Sequence, residues 1–372
     1  MLVMNGRPFI DGAFRDGVNV RVHDGKIVQV GLLCAEPGEE VIDAAGAAIV
    51  PGFVDIHIHG FAGRDCMDGE ESVRHMSREM KKTGVAAFVP TTMSAGVEAT
   101  RAALAGIARV CDAQEKEGAR VLGAHMEAPF LNEAFCGAQE TQYFLVPGAQ
   151  AYDALVDGYG EYVRMMTLAP EREGALELVA HLKEKGVVSC CAHSGATAEQ
   201  VHAAADAGLT QITHLFNAQT PLKHREPGVP GAGLADDRIS VQAIADCIHL
   251  HPDALRIAAL CKADKREMLL ITDAMMAAGM PDGEYTLGGQ KVYVRDGAAR
   301  LENGALAGST LTMAHAVKNM ITRAGIAPEK VIPMATSAPA DSIGARGFGR
   351  IEPGYDATMV LMDENWDVVR VI

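Results

Sequence analysis

No stretch of the 372-residue sequence approaches the roughly 18 consecutive apolar residues of a membrane-crossing helix, so a helical membrane protein is not expected. The first residues, MLVMNGRPFIDG, lack the basic segment and apolar stretch of a secretory leader, which leads us to expect a cytoplasmic protein. Positive charge is scarce: 33 Lys and Arg face 48 Asp and Glu, a formal net charge of −15. Nucleic acid and anionic membrane surfaces, which need a basic face, are therefore not expected as partners, although a local basic pocket remains open. Eight cysteines (Cys34, Cys66, Cys111, Cys136, Cys190, Cys191, Cys247 and Cys261) include no C-x-x-C pair. That disfavours a structural zinc site or a disulfide framework and fits reduced, mostly buried thiols. Internal repeats and low-complexity tracts are also missing.

What is present is the composition of a globular chain, 48% hydrophobic and 22% charged. A (β/α)8 barrel alone takes about 250 residues, so the length accommodates one large and one small domain. Residues 17–22 and 26–30 alternate apolar and polar side chains between Asp-Gly turns, and 356–362 and 367–372 have the same character. We expect these two chain ends, 1–50 plus 345–372, to form a small β-sandwich domain beside a central domain spanning 51–344. In the centre, strand-like runs at 54–59, 87–92, 121–127, 165–169, 187–193, 211–216, 240–247 and 268–272 alternate with room for helices. Eight such units predict a closed α/β barrel of the (β/α)8 type. Apolar spacing of three and four places helices at 71–83, 97–118, 173–186 and 197–207, and a hairpin excursion is expected near 282–304.

The C-terminal ends of barrel strands are where such folds build active sites, and here they carry histidines and carboxylates. His57 and His59, two apart on strand one, face the same way and can share a metal, unless they are surface or packed core histidines. Glu127 ends strand three in an apolar run that does not welcome an unpaired carboxylate, and a pairing with Arg or a helix cap is the alternative. His125 shares its side but better suits a supporting role. His193 ends strand five and His214 ends strand six. Five candidate ligands in one register are difficult to assign to packing. Asp273, ending strand eight, is placed to act as a general base toward activated water, with helix capping as the alternative. Arg225, in the Gly/Pro-rich loop after strand six, is suited to a bidentate phosphate contact, or else pairs with Glu226. His249 follows strand seven near the same rim.

The segments PGFVDIHIHG (51–60), HMEAPFLN (125–132), TLAPE (167–171), AHSGAT (192–197), THLFNA (213–218), REPG (225–228), ITDAM (271–275) and LAGSTLTM (306–313) together resemble the N-acetylglucosamine-6-phosphate deacetylase family of the amidohydrolase superfamily. The resemblance runs over nearly the whole chain. It implies a metal-dependent hydrolase barrel that converts N-acetyl-D-glucosamine 6-phosphate into D-glucosamine 6-phosphate and acetate. It implies that Glu127, His193 and His214 bind the principal metal and that His57 and His59 add a second site, with one or two divalent ions per subunit, zinc first among the candidates. Asp273 corresponds to the catalytic acid/base, and Arg225 and His249 to substrate binders. Asn217, Ala218, Leu306, Ala307 and Gly308 correspond to backbone contacts around the sugar phosphate, and Ala138 and Gln139 to another substrate-contacting pair. A homodimer is implied as well.

The sequence departs from that pattern at Gln139, where many members carry histidine, and at Ala128 and Cys247, which replace glycines. The galactosamine epimer of the substrate is a close rival. A relative of the dihydroorotase or aminoacylase kind is a second, disfavoured because no lysine stands at the end of strand four, Met165-Met166-Thr167-Leu168. A non-catalytic sugar-phosphate binder is a third.

Overall fold

Eight parallel strands form where the apolar runs lie, and the computed structural model describes residues 1–262 and 267–372. They are β1 (Phe53–Ile58), β2 (Val85–Thr92), β3 (Ala124–Met126), β4 (Val163–Leu168), β5 (Val188–Cys191), β6 (Gln211–Ile212), β7 (Ser240–Ile244) and β8 (Met268–Ile271). Each pairs in parallel with the next. The ring closes between β8 and β1: Asp273 N donates to His57 O at 2.9 Å and His59 N to Ala274 O at 2.9 Å. These strands bury both faces, as a parallel sheet wrapped by helices must, so they read as continuous apolar runs.

The helices follow in order: α1 (Glu70–Lys82), α2 (Val97–Asp112), α3 (Ala149–Leu155), α4 (Ala175–Glu184), α5 (Ala198–Ala207), α6 (Gly228–Ala235), α7 (Pro252–Cys261), α8 (Met313–Thr322), α9 (Pro328–Ala335) and α10 (Ser337–Ser342). In α2 the larger apolar side chains Leu104, Ile107 and Val110 recur at three-residue spacing, and the small residues Ala103, Ala105, Gly106 and Ala108 are buried with them, so the helix packs on more than one face. It stops at Asp112, six residues before the expected end, because Ala113 leaves helical backbone. Helix α5 opens with a Thr197/Gln200 capping box directly after the β5 loop.

The two chain ends build two sheets. One orders Lys26–Gly31, Asn19–His23, Leu2–Met4 and Val41–Asp43. The other orders Val368–Val371, Met359–Met362, Ala48–Pro51, Arg7–Ile10 and Ala13–Phe14. A separate apolar cluster including Val3, Val20, Ile27, Ile42, Ile49, Met359 and Leu361 fills the space they enclose. The expected hairpin near 282–304 is instead a three-stranded antiparallel sheet, Gly283–Leu287, Gln290–Arg295 and Ala298–Leu301. Asp296-Gly297, both at positive φ, supply the second tight turn. Only Cys66, Cys190 and Cys191 are fully buried; Cys34 and Cys261 are exposed, so the expectation of mostly buried thiols holds for part of the set.

Candidate active site

The strand ends converge on a cavity of about 460 Å³ lined by His59, Glu127, His193, His214, Asp273 and His249 among others. That is the size of a small-ligand site. Two groups of donors stand in it: His57, His59 and Asp273, and Glu127, His193 and His214. His57 lies fully buried beneath the cavity floor. Glu127 joins the groups. Its Oε1 lies 2.9 Å from His214 Nε2 and 3.3 Å from His193 Nε2, and its Oε2 lies 3.3 Å from His59 Nε2. Asp273 Oδ1 lies 3.1 Å from His59 Nε2 and 3.5 Å from His57 Nε2.

Backbone carbonyls decide which imidazole nitrogen faces inward. His59 Nδ1 donates to Thr91 O at 2.9 Å, His193 Nδ1 to Phe135 O at 2.9 Å and His214 Nδ1 to Asn217 O at 3.2 Å. His57 Nδ1 donates to Gln242 Oε1 at 3.3 Å, and Gln242 Nε2 in turn donates to Gln211 Oε1 at 2.9 Å. Each Nδ1 is thereby engaged, and the Nε2 atoms turn toward one another and toward the carboxylates, the arrangement outer partners impose on metal-binding imidazoles. Nε2 atoms then meet at 3.2 Å between His193 and His214 and at 3.3 Å between His57 and His59. Such contacts are repulsive unless a cation or a proton sits between them, so the donor set fits divalent metal.

Electrostatics agree. Burial opposes charge on His59, but the Asp273 and Glu127 carboxylates outweigh it and hold its pKa well above the ordinary value. Burial also opposes the charge on Glu127, yet the surrounding imidazoles keep that carboxyl well below the carboxylate range. Without metal His59 and His214 attract protons, which a metal would displace, whereas burial pushes His57 down to about 4.

The backbone at the strand ends departs from regular structure. His193 (φ 46°), His214 (φ 31°) and Asp273 (φ 49°) all adopt left-handed conformations, which side-chain-bearing residues hold only when their surroundings compel them. The expected strands 187–193 and 211–216 therefore stop early, at Cys191 and Ile212.

Most of the expected substrate-contacting residues border the cavity: Ala138, Gln139, Asn217, Ala218, His249, Leu306 and Gly308. Asp246 Oδ2 fixes His249 through Nδ1 at 2.6 Å. Gly308 sits where a Cβ would come within 3.0 Å of Asp273 O. Ala307 does not border it; its backbone N bonds Ala299 O and its methyl joins an apolar cluster with Met93, Met275 and Leu287. Arg225 lies on the exposed 221–227 loop and lines a neighbouring pocket with Gly195, Thr197 and Glu226. Among the described residues it makes no ion pair, with Glu226 or any other. His125 sits below the centre, bonded to Thr167 Oγ1 at 2.8 Å with its ring edge-on to His57.

Gln139 uses both ends of its amide within the protein. Its Nε2 donates to Glu127 Oε2 at 2.7 Å and its Oε1 accepts from Ser94 N at 2.7 Å. It braces the carboxylate common to both groups. Gln139→Leu is expected to weaken metal retention by about ten- to a hundred-fold, the usual cost of losing an outer-shell partner, read by competition with a chelator. Unchanged retention would show that Glu127 needs no brace.

Sequence reasoning missed several contributors. Gln242 and Gln211, buried amides in otherwise apolar strands, support His57. Asp55 is fully buried between β1 and β8, where Thr272 Oγ1 donates to it at 2.5 Å and burial pushes its carboxyl up to about 7. The available signal was the same in each case: a polar residue inside an apolar run.

A (β/α)8 barrel whose strand ends carry two adjoining metal-fitting groups, each of two histidines and a carboxylate, has the build of a metal-dependent hydrolase. The amidohydrolase family model matches residues 48–371. The chain belongs to the amidohydrolase family. It is 39% identical over 363 residues, 96% of its length and 93% of the relative's, to N-acetylgalactosamine-6-phosphate deacetylase of Escherichia coli O157:H7. It is 36% identical over 369 residues, 98% of its length and 94% of the relative's, to N-acetylglucosamine-6-phosphate deacetylase of Lysinibacillus sphaericus. A solved N-acetyl-D-glucosamine-6-phosphate deacetylase mutant from Mycobacterium smegmatis, in complex with N-acetyl-D-glucosamine-6-phosphate, superposes with a TM-score of 0.93 at 31% identity, covering 100% of this chain and 97% of that one.

Proposed function

We propose that this chain hydrolyses N-acetyl-D-glucosamine 6-phosphate to D-glucosamine 6-phosphate and acetate. The observation that carries the reading is the pairing of facing Nε2 atoms, 3.2–3.3 Å apart, with Asp273 beside them, in a chain similar to deacetylases over nearly its full length. Glu127, His193 and His214 would hold one divalent ion, and His57, His59 and Asp273 a second, with zinc the favoured metal. When bound, the metal supplies Lewis-acid polarisation of the acetamide carbonyl and lowers the pKa of water. Asp273 accepts the proton of the attacking water as oxygen bonds to the carbonyl carbon. It returns that proton to the nitrogen as the C–N bond breaks, releasing the amine. His249, with Asp246 holding its Nδ1, offers Nε2 to the sugar phosphate. Ala138 and Leu306 form walls around it. We place the enzyme in the cytoplasm as a homodimer.

Acetate release from N-acetylglucosamine 6-phosphate, measured alongside metal content, tests the reading; a metal-loaded protein that releases none overturns it. The E. coli relative named for the galactosamine sugar supports a second reading, the C4 epimer. Kinetics on both sugars decide, and we expect the glucosamine substrate to have the higher kcat/KM.

Arg225 is proposed to engage the phosphate from the exposed loop that follows Gln219, where it lines the neighbouring pocket. Arg225→Ala is expected to cost the phosphorylated sugar roughly ten- to a hundred-fold in kcat/KM, matching the about 1.5–3 kcal/mol of a charge-assisted contact, and to leave the unphosphorylated sugar nearly unaffected. Equal losses on both sugars would mean that the arginine serves the loop and not the phosphate.

A further inference from the structure

We propose that Glu171 is a positioning residue for the Glu127, His193 and His214 group, an inference that rests on the reading of His193 as a metal ligand. Glu171 stands just beyond β4, outside that group. Its carboxylate joins two other loops. Oε1 accepts from Asn132 Nδ2 at 2.8 Å and from Gly195 N at 2.6 Å, and Oε2 accepts from Ser194 Oγ at 2.7 Å. Among the described residues no cation pairs with Glu171, so a surface ion pair does not explain it.

Both loops hold His193. Asn132 N donates to His193 O at 2.9 Å, and Phe135 O, three residues on, accepts from His193 Nδ1. Ser194 and Gly195 are the residues that follow His193 directly. Glu171 therefore ties the chain leaving His193 to the loop that fixes both its backbone and its ring. The junction has no slack: a Cβ on Gly195 would meet Phe135 Cε2 at 2.8 Å and Asn132 Nδ2 at 3.2 Å. Neighbouring residues grip the same loop, with Ala169 N donating to Phe130 O at 3.0 Å and Arg172 Nη1 to Leu131 O. His193 keeps its left-handed backbone because these bonds hold it there. Releasing them lets the imidazole turn away from Glu127.

The test uses the full chain as parent, Glu171→Ala, Glu171→Gln and Asn132→Ala, each reconstituted with zinc or cobalt. Glu171→Ala is expected to lower zinc affinity by about ten- to a hundred-fold in chelator competition, alter the cobalt absorption spectrum and reduce kcat more than it raises KM. Glu171→Gln should stay within a few-fold of the parent: its carboxamide oxygen still accepts from Asn132 and Gly195, and Ser194 Oγ can accept from its NH2 group. Asn132→Ala should move affinity and spectrum in the same direction as Glu171→Ala, by less. Parental affinity and spectrum in Glu171→Ala, or equal damage in Glu171→Gln, overturns the proposal. If Glu171→Ala does not fold, parental zinc affinity in Asn132→Ala overturns it. A parent that binds no metal or releases no acetate overturns the proposed function and, with it, the basis of this inference.

Discussion

Asp273→Asn is expected to lower kcat by roughly 10²–10⁴-fold, the contribution of a positioned acid/base group, while KM changes little. The carboxamide is nearly the same shape but cannot take a proton from water or return one to the amine. Asp273 Oδ1 also stands 3.1 Å from His59 Nε2, so the variant should hold metal at the Glu127, His193 and His214 group and hold it more weakly at the His57 and His59 group. Steady-state kinetics with metal analysis at two chelator strengths separates these effects. Turnover within a few-fold of the parent would remove Asp273 from the chemistry.

Glu127→Ala should be worse. One carboxylate lies within 3.6 Å of the Nε2 atoms of His57, His59, His193 and His214, so its loss strips charge from both metal groups together. It also leaves buried imidazoles without their counter-charge, and unpairing a buried ionic partner typically costs about 3–5 kcal/mol. We expect metal content to collapse and activity to fall on the order of 10³-fold or more, because the charge stabilisation a metal supplies is worth several kcal/mol. His125→Ala is the control: that ring bonds Thr167 and makes no hydrogen bond or ion pair with a carboxylate among the described residues, so metal content should change far less. Equal metal loss in the two variants would mean that the wrong residue on β3 had been chosen.

The contrast between those two residues shows where sequence reading works. Glu127 and His125 share a side of one strand, and an isolated carboxylate in an apolar run already called for a partner. The eight barrel strands were legible because burial on both faces leaves continuous apolar runs, and the five candidate ligands because they fall at the ends of those runs. Strand six was read to 216 but pairs only at Gln211–Ile212, since left-handed His214 and Phe216 turn the chain out of the sheet. No residue pattern announces that turn. Gln139 was legible as a departure from a familiar motif, but its hold on Glu127 depends on Ser94, 45 positions away. Glu171 was visible only as part of TLAPE; what it does is set by Asn132, Ser194 and Gly195 arriving from other loops.

The antiparallel seam between Ala48–Pro51 and Met359–Met362 has a consequence for the order in which a nascent chain matures. Ala48–Pro51 is fully buried in the finished sheet and runs directly toward β1, which carries His57 and the approach to His59. During synthesis its outer edge has no partner until about 300 further residues have emerged, roughly 15–60 s at about 5–20 residues per second. Through that interval an apolar strand with unpaired backbone groups stays open to other chains. Gly52 N donating to Thr358 O at 2.7 Å extends the seam to the threshold of the barrel. The strand that leads into β1 is thus among the last to be secured, whereas β1 itself finds β2 after about 30 further residues and all six candidate ligands have emerged with Asp273.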